Sequence, residues 1–289
     1  MKTKPVVSVE LGHIRFSNEG SLALIAGPCV IEDSTFTVAL AKRLARVARE
    51  RRISFVFKAS YDKANRSSGG SFRGPGLERG LATLRQVKEE VGCPVLTDVH
   101  CANDVARVAQ VVDVIQVPAF LCRQTDLLLA CGESGCIVNV KKGQFLAPWD
   151  MEQVVRKIES TGNRKILLTE RGISFGYNNL VVDMRSLAVM KQFGYPVIYD
   201  ATHSVQLPGG LGHASGGQRE YLVPLARAAV AVGIAAVFCE VHPLPEKALS
   251  DGPNNLPLAA LPRFVRELQT LDKVAKSLHR YHEKTGRRR

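Results

Sequence analysis

Four cations stand at the ends of short apolar runs: Lys58, Lys63, Lys141 and Arg171. Turned inward together they would repel one another unless an anion joined them. The group therefore predicts a ligand that carries phosphate or carboxylate. The segment Asn65-Arg66-Ser67-Ser68 adds a forked donor and two hydroxyls, which suit a second phosphate, although alone it also fits a polar turn. The glycine-rich stretch 69–76 is no Walker A motif, because no Gly-Lys-Ser/Thr closes it; it reads as a mobile or tightly turned loop. A second group, Cys29, His203, Glu240 and Asp251, offers a thiolate, an imidazole and two carboxylates. That is a mixed donor set for a divalent metal ion. Taken singly, each residue has an ordinary explanation, a lone buried cysteine being usually packing. Spacing alone does not assemble them, since they lie far apart in the chain.

The elements that would bring them together are short β-branched or apolar runs over 22–27, 55–59, 94–99, 114–118, 136–140, 166–169, 196–199 and 236–239. Helical spacing predicts helices over 36–51, 77–90, 151–160, 186–193 and 221–232. Asp33 or Ser34 would cap the first, and Asp150 the one beginning at Met151. Near-continuous apolar strands alternating with helices argue for a parallel sheet. Eight such units in about 220 residues fit a closed (β/α)8 TIM barrel, with a doubly wound sheet as the alternative. In a barrel, function collects where strands end. Reading past each strand in turn gives Cys29; Lys58 with Lys63; Asp98 and His100; Gln116; Lys141; Arg171; Asp200 with His203; and Glu240 with His242. Eight converging polar groups are hard to explain as structural. The segments 6–11 and 13–17 flank Gly12 and predict an N-terminal β-hairpin that plugs the N-terminal end. With no repeat, low-complexity tract or linker, residues 1–289 read as one domain, with 1–20 as the hairpin and 273–289 as a basic tail.

With 45% apolar and 23% charged residues, the composition excludes wholesale disorder. The longest uncharged apolar run, 228–239, is shorter than the roughly 18 residues a membrane span needs, so no membrane partner is expected. No hydrophobic core of a signal peptide follows Lys2 and Lys4. Seven cysteines without a Cys-x-x-Cys pair fit a reducing cytoplasm. Of the net charge of +12, the tail from Lys273 onward carries half, with seven Lys/Arg against one acid. Its plain reading is a solvated helix face running into Arg287, Arg288 and Arg289. A nucleic-acid-binding tail is the rival reading. No RNP, KH, zinc-finger or helix-turn-helix signature accompanies it, and Tyr281 is the one aromatic there, so no nucleic-acid partner is expected.

The residues also carry a resemblance. Ala26-Gly27-Pro28-Cys29 and the run from Phe57 through Lys58-Ala59-Ser60-Tyr61-Asp62-Lys63-Ala64-Asn65-Arg66-Ser67-Ser68 resemble the 3-deoxy-D-manno-octulosonate-8-phosphate synthases. So do Arg73-Gly74-Pro75-Gly76-Leu77, Leu96-Thr97-Asp98-Val99-His100, Gln116-Val117-Pro118-Ala119-Phe120-Leu121-Cys122-Arg123-Gln124-Thr125, and Asn139-Val140-Lys141-Lys142-Gly143-Gln144-Phe145. Thr169-Glu170-Arg171-Gly172, Asp200-Ala201-Thr202-His203-Ser204-Val205-Gln206 and Ser250-Asp251-Gly252-Pro253-Asn254 complete the set.

The resemblance spans about residues 6–272 and implies a TIM barrel that condenses phosphoenolpyruvate with arabinose 5-phosphate. Phosphate leaves, and the product is the eight-carbon sugar acid phosphate of lipopolysaccharide. The resemblance implies Lys58, Lys63, Lys141 and Arg171, with Gln116 beside them, as the phosphoenolpyruvate cradle. Asn65, Arg66 and Ser67 are the implied pentose-phosphate site. At the reacting atoms we expect Lys58, Lys63, Asp98, His203 and Asp251. The family's metal-independent members place Asn where this chain has Cys29, so Cys29, His203, Glu240 and Asp251 imply the metal-dependent type, with zinc, iron(II), manganese or cobalt all compatible. The family's members are tetramers in which the arginine at the Arg123 position reaches a neighbouring subunit's pentose-phosphate site.

The nearest rival, 3-deoxy-D-arabino-heptulosonate-7-phosphate synthase, shares the Ala-Gly-Pro-Cys start but takes erythrose 4-phosphate. Its loop typically reads Lys-Pro-Arg-Thr, where this chain has Lys63-Ala64-Asn65-Arg66-Ser67-Ser68. One departure from the resembled family is Gly69-Gly70, where a larger apolar residue is expected. That substitution suggests a more mobile loop.

Overall fold

Two short strands, Val9–Leu11 (β1) and Ile14–Phe16 (β2), pair antiparallel, with Gly12 at φ 56° in the turn between them. This is the expected N-terminal hairpin. The computed structural model describes residues 5–65, 68–209 and 216–286, with side chains followed to residue 278. After the hairpin come Ala23–Gly27 (β3), Ser54–Lys58 (β4), Val95–Asp98 (β5), Val114–Val117 (β6), Ile137–Lys141 (β7), Ile166–Glu170 (β8), Val197–Asp200 (β9) and Ala236–His242 (β10). Each pairs in parallel with its sequence neighbour, and β10 pairs back onto β3. The sheet therefore closes into an eight-stranded barrel, whereas a doubly wound sheet would keep two open edges.

The helices are Ser34–Arg51 (α1), Leu77–Val91 (α2), Ala102–Ala109 (α3), Thr125–Glu133 (α4), Met151–Glu159 (α5), Met184–Lys191 (α6), Leu222–Ala231 (α7) and Leu261–Gly286 (α8). Asp33 caps α1 by accepting the Phe36 N–H at 2.7 Å. Asp150 makes no such bond, because Pro148 opens a 3-10 turn over Pro148–Asp150 and Asp150 already has helical backbone angles. α6 begins two residues before the expected start, since Asp183 accepts the Arg185 N–H at 2.9 Å. β10 outlasts its expected end because Val241 and His242 pair with Leu256 and Pro257. The tail continues α8 as far as Gly286. It is not wholly solvated, as Ala275 and Lys276 are buried and Lys276 pairs with Asp272 and the Gly20 carbonyl.

Alternation along each strand explains how the site is placed. Ile25, Val56, Leu96, Val114, Ile137, Leu167, Ile198 and Phe238 pack together inside the barrel, with Val9, Ile14 and Phe16 of the hairpin closing its N-terminal end. The opposite faces, such as Leu24, Phe57, Ile115, Val140 and Tyr199, pack against the helices. Because side chains alternate with a period of two, the next inward residue along each strand is two positions on. That position is Lys58 after Val56, Asp98 after Leu96, Gln116 after Val114, Asp200 after Ile198 and Glu240 after Phe238. Oil thus fills the lower barrel and polar groups fill its C-terminal end. Among the described residues, no helix is long and apolar enough to cross a membrane.

Candidate active site

The polar groups surround a cavity of about 790 Å³ at the C-terminal mouth, lined by Lys58, Lys63, Asn65, Asp98, His100, Gln116, Lys141, Arg171, His203, Gln206 and Asp251 among others. Ten of the residues singled out from the sequence therefore meet there. Cys29 and Glu240 lie just beneath, within reach of its floor. Asn65 is exposed at the rim. Arg66 and Ser67 fall outside the described residues. Arg123 is exposed and does not line this chain's cavity; among the described residues its guanidinium has no ion pair, Asp126 included. His242 points away, with Nε2 3.4 Å from Glu32 Oε1 and its ring against Phe36.

Lys58 is 1% exposed and anchors the floor. Its Nζ donates to Glu240 Oε1 at 2.7 Å, to the Cys29 carbonyl at 2.8 Å and to the Pro28 carbonyl at 3.4 Å. All three N–H bonds are thereby used. The preceding turn needs Gly27, where a Cβ would lie 1.8 Å from the Lys58 carbonyl oxygen. Lys63 sits higher, 3.7 Å from Asp98 and 3.9 Å from Glu240, and keeps donors for a ligand. It is held by a tight turn: Lys63 N–H donates to the Arg73 carbonyl at 2.7 Å, and Arg73 clamps Asp62 with Nε and Nη2. Gly69 and Gly70 meet no crowding that would require glycine.

Lys141 donates to Asp200 at 2.5 Å and lies 3.7 Å over the Phe238 ring. Burial, outweighing Asp200 and seconded by Lys58, lowers its pKa. Burial likewise lowers Arg171, despite Asp200, Asp251 and Glu170 nearby. Arg171 donates to Gln206 Oε1 at 2.8 Å, and Gln206 Nε2 lies 3.4 Å from Asp251 Oδ1. Burial would raise the Asp98 carboxyl, but Lys63, Lys58 and Lys141 together hold it far below the usual range. Glu240 behaves in the same way, with Lys58 and then His203 outweighing its burial.

The Cys29 Sγ, Glu240 and Asp251 donor atoms lie within 4.8 Å of one another. His203 joins through the carboxylates, with Nε2 3.6 Å from Glu240 Oε1 and 3.8 Å from Asp251 Oδ2. Donors bound at about 2.0–2.3 Å to one ion stand at most about 4.6 Å apart, so this spread is close to a ligated one. Two further features fit a metal ion. Glu240 Oε2 is buried with no hydrogen-bond partner among the described residues. Asp200 holds His203 at both Nδ1, 2.7 Å, and the backbone N–H, 2.9 Å, which turns Nε2 toward the carboxylates. Asp251 takes the left-handed conformation at φ 51°, an uncommon one for a non-glycine residue that aims its carboxylate at Cys29 Sγ, 3.2 Å away. Burial, with Asp251 and Glu240 adding to it, pushes the Cys29 thiol well up.

Several contributors escape sequence reading: Ser60, Asn139 and Thr169 on the barrel wall, Gln206 between Arg171 and Asp251, and Ser250, whose Oγ accepts from Cys29 Sγ at 3.0 Å. For Ser60, Asn139 and Thr169 the one available signal is spacing, each standing two residues from one already singled out, Lys58, Lys141 and Arg171.

A closed parallel barrel with buried cations, paired carboxylates and a thiol at its C-terminal mouth defines a class that comparison makes specific. Residues 6–277 match the model of the DAHP synthetase I family, and the chain belongs to that family. It is similar to 2-dehydro-3-deoxyphosphooctonate aldolases: 58% identical over 268 residues to that of Geobacter metallireducens, covering 93% of this chain and 98% of the relative. With the protein of the same name from Geotalea daltonii it shares 57% over 271 residues, 94% of this chain and all of the relative. With that of Syntrophotalea carbinolica it shares 55% over 269 residues, 93% and 97% of the two chains.

Proposed function

We propose that this chain joins phosphoenolpyruvate to D-arabinose 5-phosphate. C3 of phosphoenolpyruvate bonds to the aldehyde carbon, water adds at C2, and the bond from C2 to the phosphate oxygen breaks. The products are 3-deoxy-D-manno-octulosonate 8-phosphate and phosphate, which places the enzyme in lipopolysaccharide (Kdo) biosynthesis. The observation that carries the reading is the single cavity shared by Lys63, Lys141, Arg171, His203 and Asp251. A cluster of cations and a metal-type donor set thus face one substrate space. The names of the relatives favour the octulosonate over the heptulosonate reading, which the family description alone leaves open.

In this mechanism Lys63, Lys141 and Arg171 hold the phosphate and carboxylate of phosphoenolpyruvate, with Gln116 beside them. Lys58 supplies charge from below. Lys141, whose ammonium is destabilised by burial, is suited to pass a proton to or from departing phosphate. Asp98, held ionised, stabilises positive charge and orients Lys63. Cys29, His203, Glu240 and Asp251 hold a divalent ion, whose identity among zinc, iron, manganese and cobalt follows availability. That ion supplies Lewis-acid polarisation or positioning to the aldehyde or to the water. Asn65, Arg66 and Ser67 take the pentose phosphate.

A homotetramer accords with Arg123 and with Phe120, Phe145 and Trp149, apolar side chains left exposed in the segments that follow β6 and β7. A second copy covering them would bring its own Arg123 to this site. Light scattering at assay concentration should give about four times 31.5 kDa. A fully active monomer would sink this part. Seven free thiols are in keeping with a cytoplasmic enzyme.

The decisive test is phosphate release from phosphoenolpyruvate with each aldose phosphate. A four-carbon aldose anchored by the same phosphate holds its carbonyl one carbon short, and such misplacement costs roughly 10²-fold. Arabinose 5-phosphate should therefore exceed erythrose 4-phosphate in kcat/KM by that order. Equal efficiencies would overturn the substrate assignment.

A further inference from the structure

We infer that Asn139 is a positioning residue: braced by Thr169, it locks the side-chain amide of Gln116 so that an N–H, and not the carbonyl, faces the anion-binding part of the cavity. The inference extends the reading above by adding the device that fixes the polarity of one wall of the phosphoenolpyruvate pocket.

The device is a chain of hydrogen bonds across the inner wall. Thr169 Oγ1 donates to Asn139 Oδ1 at 2.7 Å, and Asn139 Nδ2 donates to Gln116 Oε1 at 2.8 Å. Gln116 Nε2 donates to Asp98 Oδ1 at 2.5 Å, and the Ser60 hydroxyl donates to Asp98 Oδ2. Asp98, Gln116 and Asn139 are direct partners in the registers of β5, β6 and β7. All five side chains are buried, and Ser60, Asn139 and Thr169 are completely so.

Chemistry forces the direction of this chain. An ionised carboxylate only accepts, so Gln116 must turn its NH2 toward Asp98. Its carbonyl then needs a donor, which Asn139 provides. The Asn139 carbonyl in turn needs one, and among the described residues the Thr169 hydroxyl gives it. Flipping the Gln116 amide would set its oxygen against the Asp98 carboxylate and its NH2 against that of Asn139. Two bonds would be lost and two like poles brought together, in a site with little water to compensate. The second N–H of Gln116 has no acceptor among the described residues, and Gln116 lines the cavity beside Lys63, Lys141 and Arg171. A donor there adds to the cations in holding an anion; a carbonyl would repel it.

Neither Asn139 nor Thr169 needs to touch the ligand, so their effect should reach it only through Gln116. The test is calorimetric titration of the metal-loaded enzyme with phosphoenolpyruvate and, separately, with arabinose 5-phosphate. Thr169→Val keeps the shape and removes the donor; Thr169→Ser keeps the donor; Asn139→Leu removes the link. We expect Asn139→Leu and Thr169→Val to weaken phosphoenolpyruvate roughly tenfold, the scale of one hydrogen bond to a charged group. Thr169→Ser should restore the affinity, and arabinose 5-phosphate should bind equally in all. Unchanged phosphoenolpyruvate affinity in Thr169→Val, or the same loss in Thr169→Ser, would overturn the inference. Should Asn139→Leu fail to fold, the two Thr169 variants decide alone. Wild-type turnover is scored separately: a chain that binds phosphoenolpyruvate but forms no octulosonate product refutes the proposed function while the titrations still judge Asn139.

Discussion

Cys29→Ala is expected to lose bound metal and turnover together. Its Sγ is the one soft donor among ligand atoms gathered within 4.8 Å. Without it, Glu240 and Asp251 remain as two buried carboxylates with His203 as the sole nitrogen ligand. Loss of an outer-shell partner already costs 10- to 100-fold in metal affinity, so loss of a ligand should cost at least roughly 10²-fold. Metal content per chain, read by mass spectrometry after desalting, should fall with turnover. In the wild type, exhaustive chelation should abolish activity, and zinc, iron(II), manganese or cobalt should restore it to differing degrees. Metal content supplies a readout independent of rate. A wild-type preparation shown to be metal-free that keeps full turnover would refute the requirement for metal.

The barrel was legible because its strands are nearly continuous apolar runs and its helices long enough to show a period. α1 and α2, of 18 and 15 residues, announce themselves; α4 does not, because Leu127 to Cys131 is one unbroken apolar run followed by Gly132 and shows no helical period, whereas α5, of the same length, alternates Val154, Val155 and Ile158 with charged residues. The charged residues were legible for a different reason. Lys58, Asp98 and Glu240 interrupt apolar runs, and burying such a group unpaired is too costly to be incidental. Neutral polar residues send no such signal. Thr169 inside Ile-Leu-Leu-Thr-Glu is what a strand would use anyway, since threonine favours β structure. Its bond to Asn139 on the neighbouring strand depends on register, which only the closed sheet fixes. Gln206 likewise bridges Arg171 and Asp251 across 35 and 45 positions of chain. Asp150 shows the opposite error, where a good capping residue is overridden because Pro148 starts the helical turn earlier.

Lys58 and Lys63 look alike in sequence, yet their replacement by methionine should give different losses. Lys58 Nζ is spent on Glu240 and on two carbonyls of the Pro28-Cys29 turn, so its removal leaves a fully buried carboxylate without its nearest cation. Breaking a buried pair from one side typically costs about 3–5 kcal/mol. Lys58→Met should therefore lower unfolding stability by that order and lose metal as the turn carrying Cys29 loosens. Lys63 holds Asp98 and Glu240 only at 3.7 and 3.9 Å, and both acids keep other partners. Lys63→Met should accordingly cost less stability but weaken phosphoenolpyruvate strongly, since it removes free donors from the cavity. Glu240→Gln added to Lys58→Met removes the orphaned charge, so the double variant should unfold at higher denaturant than the two single losses predict by addition. Denaturant unfolding of the metal-free proteins measures the stability terms, and titration with phosphoenolpyruvate measures the ligand term. Equal destabilisation by the two lysine variants, or strict additivity in the double variant, would show that Lys58 is a second ligand donor and not the anchor of the floor.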